Sequence, residues 1–244
     1  MTKTKTAVEN EKELRPVLEF DAASLRATDQ RYQSIQKVQL KLRESELALV
    51  LNPPTRSQQL LGAAALGLVA PSHGQVLFEQ KDWQDLPYEA QLKKRKRIGR
   101  VFGVGGWIDN LTVLDNITLS QRHHSTDSEA SITELAAAAA KRFGLSSIPD
   151  ARPVRISPLE LRKYQWVRAM FSKPRLLILE KPLDGVPPAE HQSFMDAEAD
   201  YRQQGGATLW ITDERDIWSR DFQGAVQRFR IAHGKLESVK GPIP

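Results

Sequence analysis

The chain has 244 residues, with 35 Lys and Arg against 30 Asp and Glu, a formal net charge of +5, and no cysteine. This length supports a hydrophobic core without staples, and the absence of cysteine excludes disulfide frameworks and thiolate chemistry. The basic excess permits an acidic partner without requiring one.

The opening, MTKTKTAVENEKELR, has no apolar core and is not read as a signal peptide. Residues 1–14 are expected to be a disordered tail. No apolar run approaches the ~20 residues of a membrane helix, so a soluble, cytoplasmic chain is expected. Val17–Leu25, Val38–Leu42 and Leu47–Leu51 read as strands from their β-branched or alternating apolar residues. Gln58–Leu66 reads as a helix stopped by Gly67, and Pro71–Gly74 as a turn before a strand at Gln75–Glu79. Lys93–Arg97 is an uninterrupted basic run, read as a solvated turn or as an attractor of anionic lipid or nucleic acid. It leads into a strand at Ile98–Phe102, a glycine loop at 103–106, and a helix starting at Thr112.

Ser128–Phe143 is the clearest helix, with Gly144 as its cap. Another runs from Ser157 to about Phe171, where Ser157, Pro158 and Glu160 form an N-cap, a favoured first residue and a capping box. Leu176–Leu179 is four apolar residues between turn signals, the pattern of a parallel strand buried on both faces. A helix over 189–202, a turn at Gly205-Gly206, and strands at Thr208–Thr212 and Val226–Ala232 complete the chain before a short polar tail. Together these elements predict an α/β fold with a mixed sheet and an inserted helical lobe at roughly 104–172.

In this order the segments resemble the ATP-binding subunit (nucleotide-binding domain) of an ABC transporter, from about Val17 to Lys235. LNPPTRSQQLL (51–61) falls at the phosphate-binding loop and GLVAPSHGQVLFEQKDW (67–83) after its helix. RIGRVFGVGGWIDNLTVLDNITL (97–119) falls at the glutamine loop and ISPLE (156–160) at the signature. LLILEKPLDGVP (176–187) falls at the Walker B strand and D-loop, and TLWITDE (208–214) at the histidine-loop strand. The wording GLVAPSHG, GGWIDNLTVLDNITL and PLDG is closest to ATPase subunits of mammalian-cell-entry-type lipid transport systems. The resemblance implies a P-loop NTPase-like core over 15–103 and 173–244, comprising a mixed sheet with an antiparallel part, and a helical lobe over 104–172.

Measured against that family, the chemistry is degenerate. A phosphate-binding loop needs glycine N–H groups, a Lys and a Ser/Thr hydroxyl. Here Pro53 and Pro54 remove donors, Ser57 stands at the Lys position with Arg56 beside it as the charge that would have to replace it, and Gln58 stands at the metal ligand. Ala27 offers no ring where the family stacks adenine, and Tyr32 is near enough in sequence for a shifted loop to offer its ring instead. Glu180 replaces the metal-positioning Asp, Lys181 the general-base Glu, Asp213 the histidine, Gly103 the glutamine and Pro187 the D-loop Asp. A protonated Lys cannot deprotonate attacking water. Arg56, Ser57, Gln58, Glu180, Lys181 and Asp213 are therefore vestigial positions, with no catalytic residue, metal or cofactor expected. Lys181 and Asp213 are expected to pair across the site and so avoid isolated buried charges.

Ser157 keeps the signature hydroxyl, but Pro158 lacks an N–H and Leu159 adds bulk. Ser157, Glu160, Asp184 and Gly185 are candidates for the partner interface. Gly103, Gly105, Gly106, Trp107 and Asn110 are candidates for docking a permease, although Trp107 also reads as plain core. His123 and His124 read as surface residues and Trp166 as core. The expected protein is a pseudo-ATPase, a structural or regulatory subunit on the inner face of the cell membrane. Its partners would be a membrane permease subunit and a second ABC ATPase subunit or its own copy, with lipid as cargo and no nucleic acid. Two alternatives stay open: an asymmetric ATPase in which Ser157 completes a site where a partner binds ATP and Mg, and a basic adaptor for an acidic surface or nucleic acid.

Overall fold

A computed structural model describes residues 14–27, 33–52 and 57–240, with the side chains of 57–59 excepted. Among these, a ten-stranded sheet has the order β5-β4-β1-β2-β10-β9-β3-β8-β7-β6. The strands are β1 (Pro16–Leu25), β2 (Ile35–Arg43), β3 (Leu47–Leu51), β4 (His73–Phe78), β5 (Lys81–Asp82), β6 (Ile98–Val101), β7 (Leu176–Glu180), β8 (Ala207–Thr212), β9 (Val226–Ala232) and β10 (Lys235–Ser238). The helices are α1 (Ser57–Ala65), α2 (Tyr88–Arg95), α3 (Val113–His124), α4 (Glu129–Lys141), α5 (Pro158–Phe171), α6 (His191–Gln203) and α7 (Arg215–Ser219).

The sheet has two characters. β1 pairs antiparallel with β2 and β4, with Phe20 opposite both Leu40 and Val76. β9, β3, β8, β7 and β6 pair parallel in that order. Every residue of β3, β7 and β8 is buried, as continuous apolar runs demand. Alternation along these strands then divides the interior. Ala48, Val50, Leu176, Ile178, Leu209 and Ile211 join α1 and the antiparallel strands in one core. Leu49, Leu177, Leu179 and Trp210 face a second core shared with α3, α4, α5 and α6. A chain of rings runs through the second core: Phe143–Trp166, Trp166–Phe194, Phe194–Trp210 and Trp210–Phe222 have centroids 5.6, 4.8, 5.5 and 5.4 Å apart.

Three elements differ from sequence expectation. The basic run is the last turn of α2 and its exit, not a free turn. α2 buries no side chain, so periodicity gave no signal. It is held by polar contacts, with Gln91 Nε2 donating to the Trp83 and Leu86 carbonyls and Arg95 to those of Leu66 and Gly67. The expected polar tail contains β10, turned back on β9 by His233 and Gly234, both at positive φ as a two-residue hairpin turn requires. The capping box at α5 closes differently. Glu160 N donates to Ser157 Oγ at 3.3 Å, while the Glu160 carboxylate accepts from the Ser157 hydroxyl at 2.6 Å.

Candidate functional site: the C-terminal ends of the parallel strands

β7 and β8 lie side by side, with Leu179 opposite Trp210 and Glu180 opposite Ile211, so the residues just beyond their ends meet. Lys181 turns sharply, with φ +45°, and its N–H donates to Ile211 O at 2.9 Å. The Lys181 ammonium bonds the Asp213 carboxylate, so the expected ion pair is present. Both side chains are about one-quarter exposed or less, which keeps the pair from being a fully solvated one.

Glu180 sits deeper, 1% exposed. Its Oε1 accepts from Arg100 Nη2 at 2.6 Å and its Oε2 from the Gly103 N–H at 3.2 Å. Burial pushes the Glu180 carboxyl above the ordinary carboxylate range, against the opposing pull of Arg100 and of the Gly103 N–H. α1 passes close by: a Cβ on Gly62 would lie 2.3 Å from Glu180 Oε1. Glu214 is also pushed upward, first by burial and then by neighbouring Asp213.

From Glu180 the contacts lead into the loop after β6. α5 grips this loop with residues three apart on one face. Arg162 donates to the Phe102 and Gly103 carbonyls at 2.7 and 3.3 Å. Gln165 accepts from Phe102 N at 3.1 Å and donates to Gly105 O at 3.0 Å. Arg168 donates to Gly106 O, with its guanidinium 5.5 Å from the Phe102 ring and 4.7 Å from the Trp107 ring. Burial lowers the Arg168 pKa to about 10. Gly106 has φ +88°, and a Cβ there would meet the Phe102 ring at 2.4 Å, so only glycine fits. Asn116 pins the far side: it accepts from Ile108 N at 2.9 Å and donates to the carbonyls of Ile108 and Thr112 at 3.0 and 2.9 Å.

The structure thus brings Glu180, Lys181, Asp213 and Gly103 together. Gly103 is buried against Glu180, whereas Gly105, Gly106 and Asn110 are exposed and Trp107 is half-buried against the second core. Ser157 and Glu160 are exposed at the start of α5. Asp184, 61% exposed, lies 3.9 Å from Arg162, next to Gly185 at φ +73°. Arg56 and Tyr32 lie outside the described residues, as do the side chains of Ser57 and Gln58. Ala27 packs at the edge of the first core. His123 and His124 are exposed, and Trp166 is buried with its Nε1 donating to Pro182 O at 2.8 Å. No helix among the described residues is long and apolar enough to cross a membrane.

Sequence reading missed Arg100, Asn116, Arg162, Gln165 and Arg168. The last three were visible as a polar stripe at i, i+3 and i+6 along α5.

Residues 60–184, just over half of the chain, match the family described as ABC transporter. The chain is 30% identical over 171 residues to the methionine import ATP-binding protein MetN 1 of Yersinia pestis bv. Antiqua (strain Antiqua), covering 69% of this chain and 48% of that protein. It is 26% identical over 233 residues to the lipopolysaccharide export system ATP-binding protein LptB of Acidithiobacillus ferridurans, covering 91% of this chain and 90% of that protein. The chain thus spans about half the length of the methionine-import relative and most of the other. A dimeric bacterial ABC transporter cassette superimposes with a TM-score of 0.80 at 17% identity, over 92% of this chain and 99% of the cassette. The same cassette in a post-hydrolysis state bound to ADP and Pi superimposes equally well.

These relatives overturn the expectation that no cofactor belongs to this chain. They are described as ATP-binding proteins, and ATP with Mg is the cofactor of the family. The described residues at the ends of β7 and β8 do not fit the metal-assisted hydrolytic part of that chemistry: the Glu180 carboxylate is taken by Arg100 and Gly103, and Lys181 by Asp213. A dication seated there would face the cations Arg100 and Lys181, and the carboxylate beside the pair without an ion-pair partner among the described residues is Glu214. With its fold, its segment order and its matched residues in agreement, the chain belongs to the ABC transporter family.

Proposed function

We propose that this chain is a hydrolysis-deficient ABC cassette subunit, a pseudo-ATPase with a structural or regulatory role in a membrane transport complex. The observation that carries this reading is the paired charge at the strand ends. Lys181 stands on Asp213 and Glu180 on Arg100, so the positions that would activate water are tied to each other. In this reading residues 15–103 and 173–244 act as the core and 104–172 as a helical lobe. The exposed part of the 103–110 loop, with Gly105, Gly106, Trp107 and Asn110, receives a permease. Support comes from the exposed apolar side chains of Val104 and Ile108 beside it, 77% and 44% exposed. Ser157, Glu160, Asp184 and Gly185 would face a second cassette, either a different one or a copy of this chain. A lipid cargo is the finer reading, supported by the lipid-transport wording of the sequence and by the lipopolysaccharide export relative, which matches over nearly its whole length.

A second reading places a partner's ATP against Ser157 at the N-terminus of α5. It is favoured by the exposure of Ser157 and opposed by the Glu160 carboxylate held on its hydroxyl.

The test measures ATP binding and phosphate release separately on the full chain. The expected outcome is no release above background at saturating ATP. Turnover at or above ~1 s⁻¹, the low end of ordinary enzymes, that disappears in Glu180→Gln would overturn the proposal. The variants Lys181→Met and Asp213→Asn should couple by about 1 kcal/mol in a double-mutant cycle on stability. A coupling near zero would remove the structural role of the pair.

A further inference from the structure

The basic run carried by α2 ends at the opposite end of the β6 and β7 strands from Glu180. There, beside the N-terminal ends of β6 and β7, a cleft of about 260 Å³ gathers Lys96, Arg97, His124, Lys173 and Arg175 from three separate connections. Ser120, Gln121 and Ser172 complete its wall with uncharged donors, and no carboxylate lines it. Arg97 and Arg175 are partly offset from outside, Arg97 by Glu79 at 2.7 Å and Arg175 by Glu44. Lys96 and Lys173 have no carboxylate partner among the described residues, and both are exposed. The C-terminal ends of α2, α3 and α5 contribute partial negative charge here. Together with the two flanking carboxylates this offsets only part of four Lys and Arg charges.

The backbone supplies a second observation. Lys173 follows the end of α5 at φ +48°, with its N–H donating to Met170 O at 3.1 Å. That left-handed position after a helix is the one glycine normally takes, because a Cβ is strained there. The chain accepts that strain and places a long cation at the mouth of a positive cleft.

We propose that this cleft binds the phosphate or diphosphate group of an anionic ligand, carried by a lipid headgroup or by a soluble phosphorylated molecule. Lys96 and Lys173 act as the mobile point charges, Arg97 and Arg175 as fixed donors, and the two serines as neutral ones. The site is separate from the strand ends that hold Glu180 and Lys181, and it stands whether or not the chain hydrolyses ATP.

The test titrates inorganic pyrophosphate into the full chain by calorimetry, for wild type and for the double variant Lys96→Ala/Lys173→Gly. Glycine at 173 relieves the left-handed strain, so a thermal midpoint at or above wild type verifies folding. Pyrophosphate should bind wild type, weaken with added salt, and bind the double variant roughly tenfold more weakly, as the loss of charge-assisted contacts implies. Co-sedimentation with phosphatidylglycerol vesicles, compared with phosphatidylcholine vesicles, separates the sources. Variant-sensitive binding to the anionic vesicles supports the headgroup form, and variant-sensitive binding of pyrophosphate alone supports the soluble form. No binding of either, or equal binding by both proteins, overturns the proposal.

Discussion

Glu180 combines near-complete burial with a single guanidinium partner, and this makes its ionisation a reporter on the strand ends. Its carboxyl lies above the ordinary range, with burial as the first cause. The folded chain therefore holds that proton at pH values where the unfolded chain has released it. Stability from the proton is complete below the unfolded value and is lost as the pH rises through the raised folded value. Wild type should therefore compare most favourably with Glu180→Gln in acid, and lose ground as the pH rises across that window. Urea unfolding of both proteins at a series of pH values checks the sign. A wild-type advantage that instead grows with pH would show that the Arg100 ion pair outweighs burial.

At the scale of elements, α5 and α3 hold the loop after β6 from two sides. Arg162, Gln165 and Arg168 hold its first half and Asn116 its second. Asn116 is 5% exposed and makes three well-formed bonds to that loop and the α3 cap. Asn116→Ala should cost about 3 kcal/mol, at roughly 1 kcal/mol for each of its three bonds. Amides at 108–111 should then exchange faster while those in β7 stay protected. Unchanged exchange at 108–111 would show that the loop holds itself. The elements were legible in the sequence wherever apolar periodicity exists, as in β3, β7, β8 and α4. α2 was not, because its stability rests on side chains reaching backbone carbonyls, and such contacts leave no pattern along the chain. Of the strand-end site, Glu180, Lys181 and Asp213 were readable because their segments resemble the family's Walker B and histidine-loop strands. Arg100 was not, because its role depends on β6 lying beside β7, a pairing made across more than seventy residues.

Across the described residues, the sheet separates two cores, and the ring chain from Phe143 to Phe222 ties the segment after α4, α5, α6 and β8 into one packed body. Such a body transmits displacement instead of absorbing it. Within it, Arg162 of α5 touches both the start of the 103–110 loop, at the Phe102 carbonyl, and the turn beyond β7, with Asp184 3.9 Å away. The close passage of α1 over Glu180 ties position 62 to position 180. Gly62 is a helix-interior glycine, about 1 kcal/mol worse than alanine on propensity, and it has no room for a methyl because the longer carboxylate fills that space. The two positions are epistatic. Gly62→Ala should destabilise the present chain, yet become neutral or stabilising once Glu180→Asp has withdrawn the carboxylate. The same alanine would then change sign between backgrounds in thermal unfolding. Glu180→Asp alone, made in the present chain, would open a void beside the glycine.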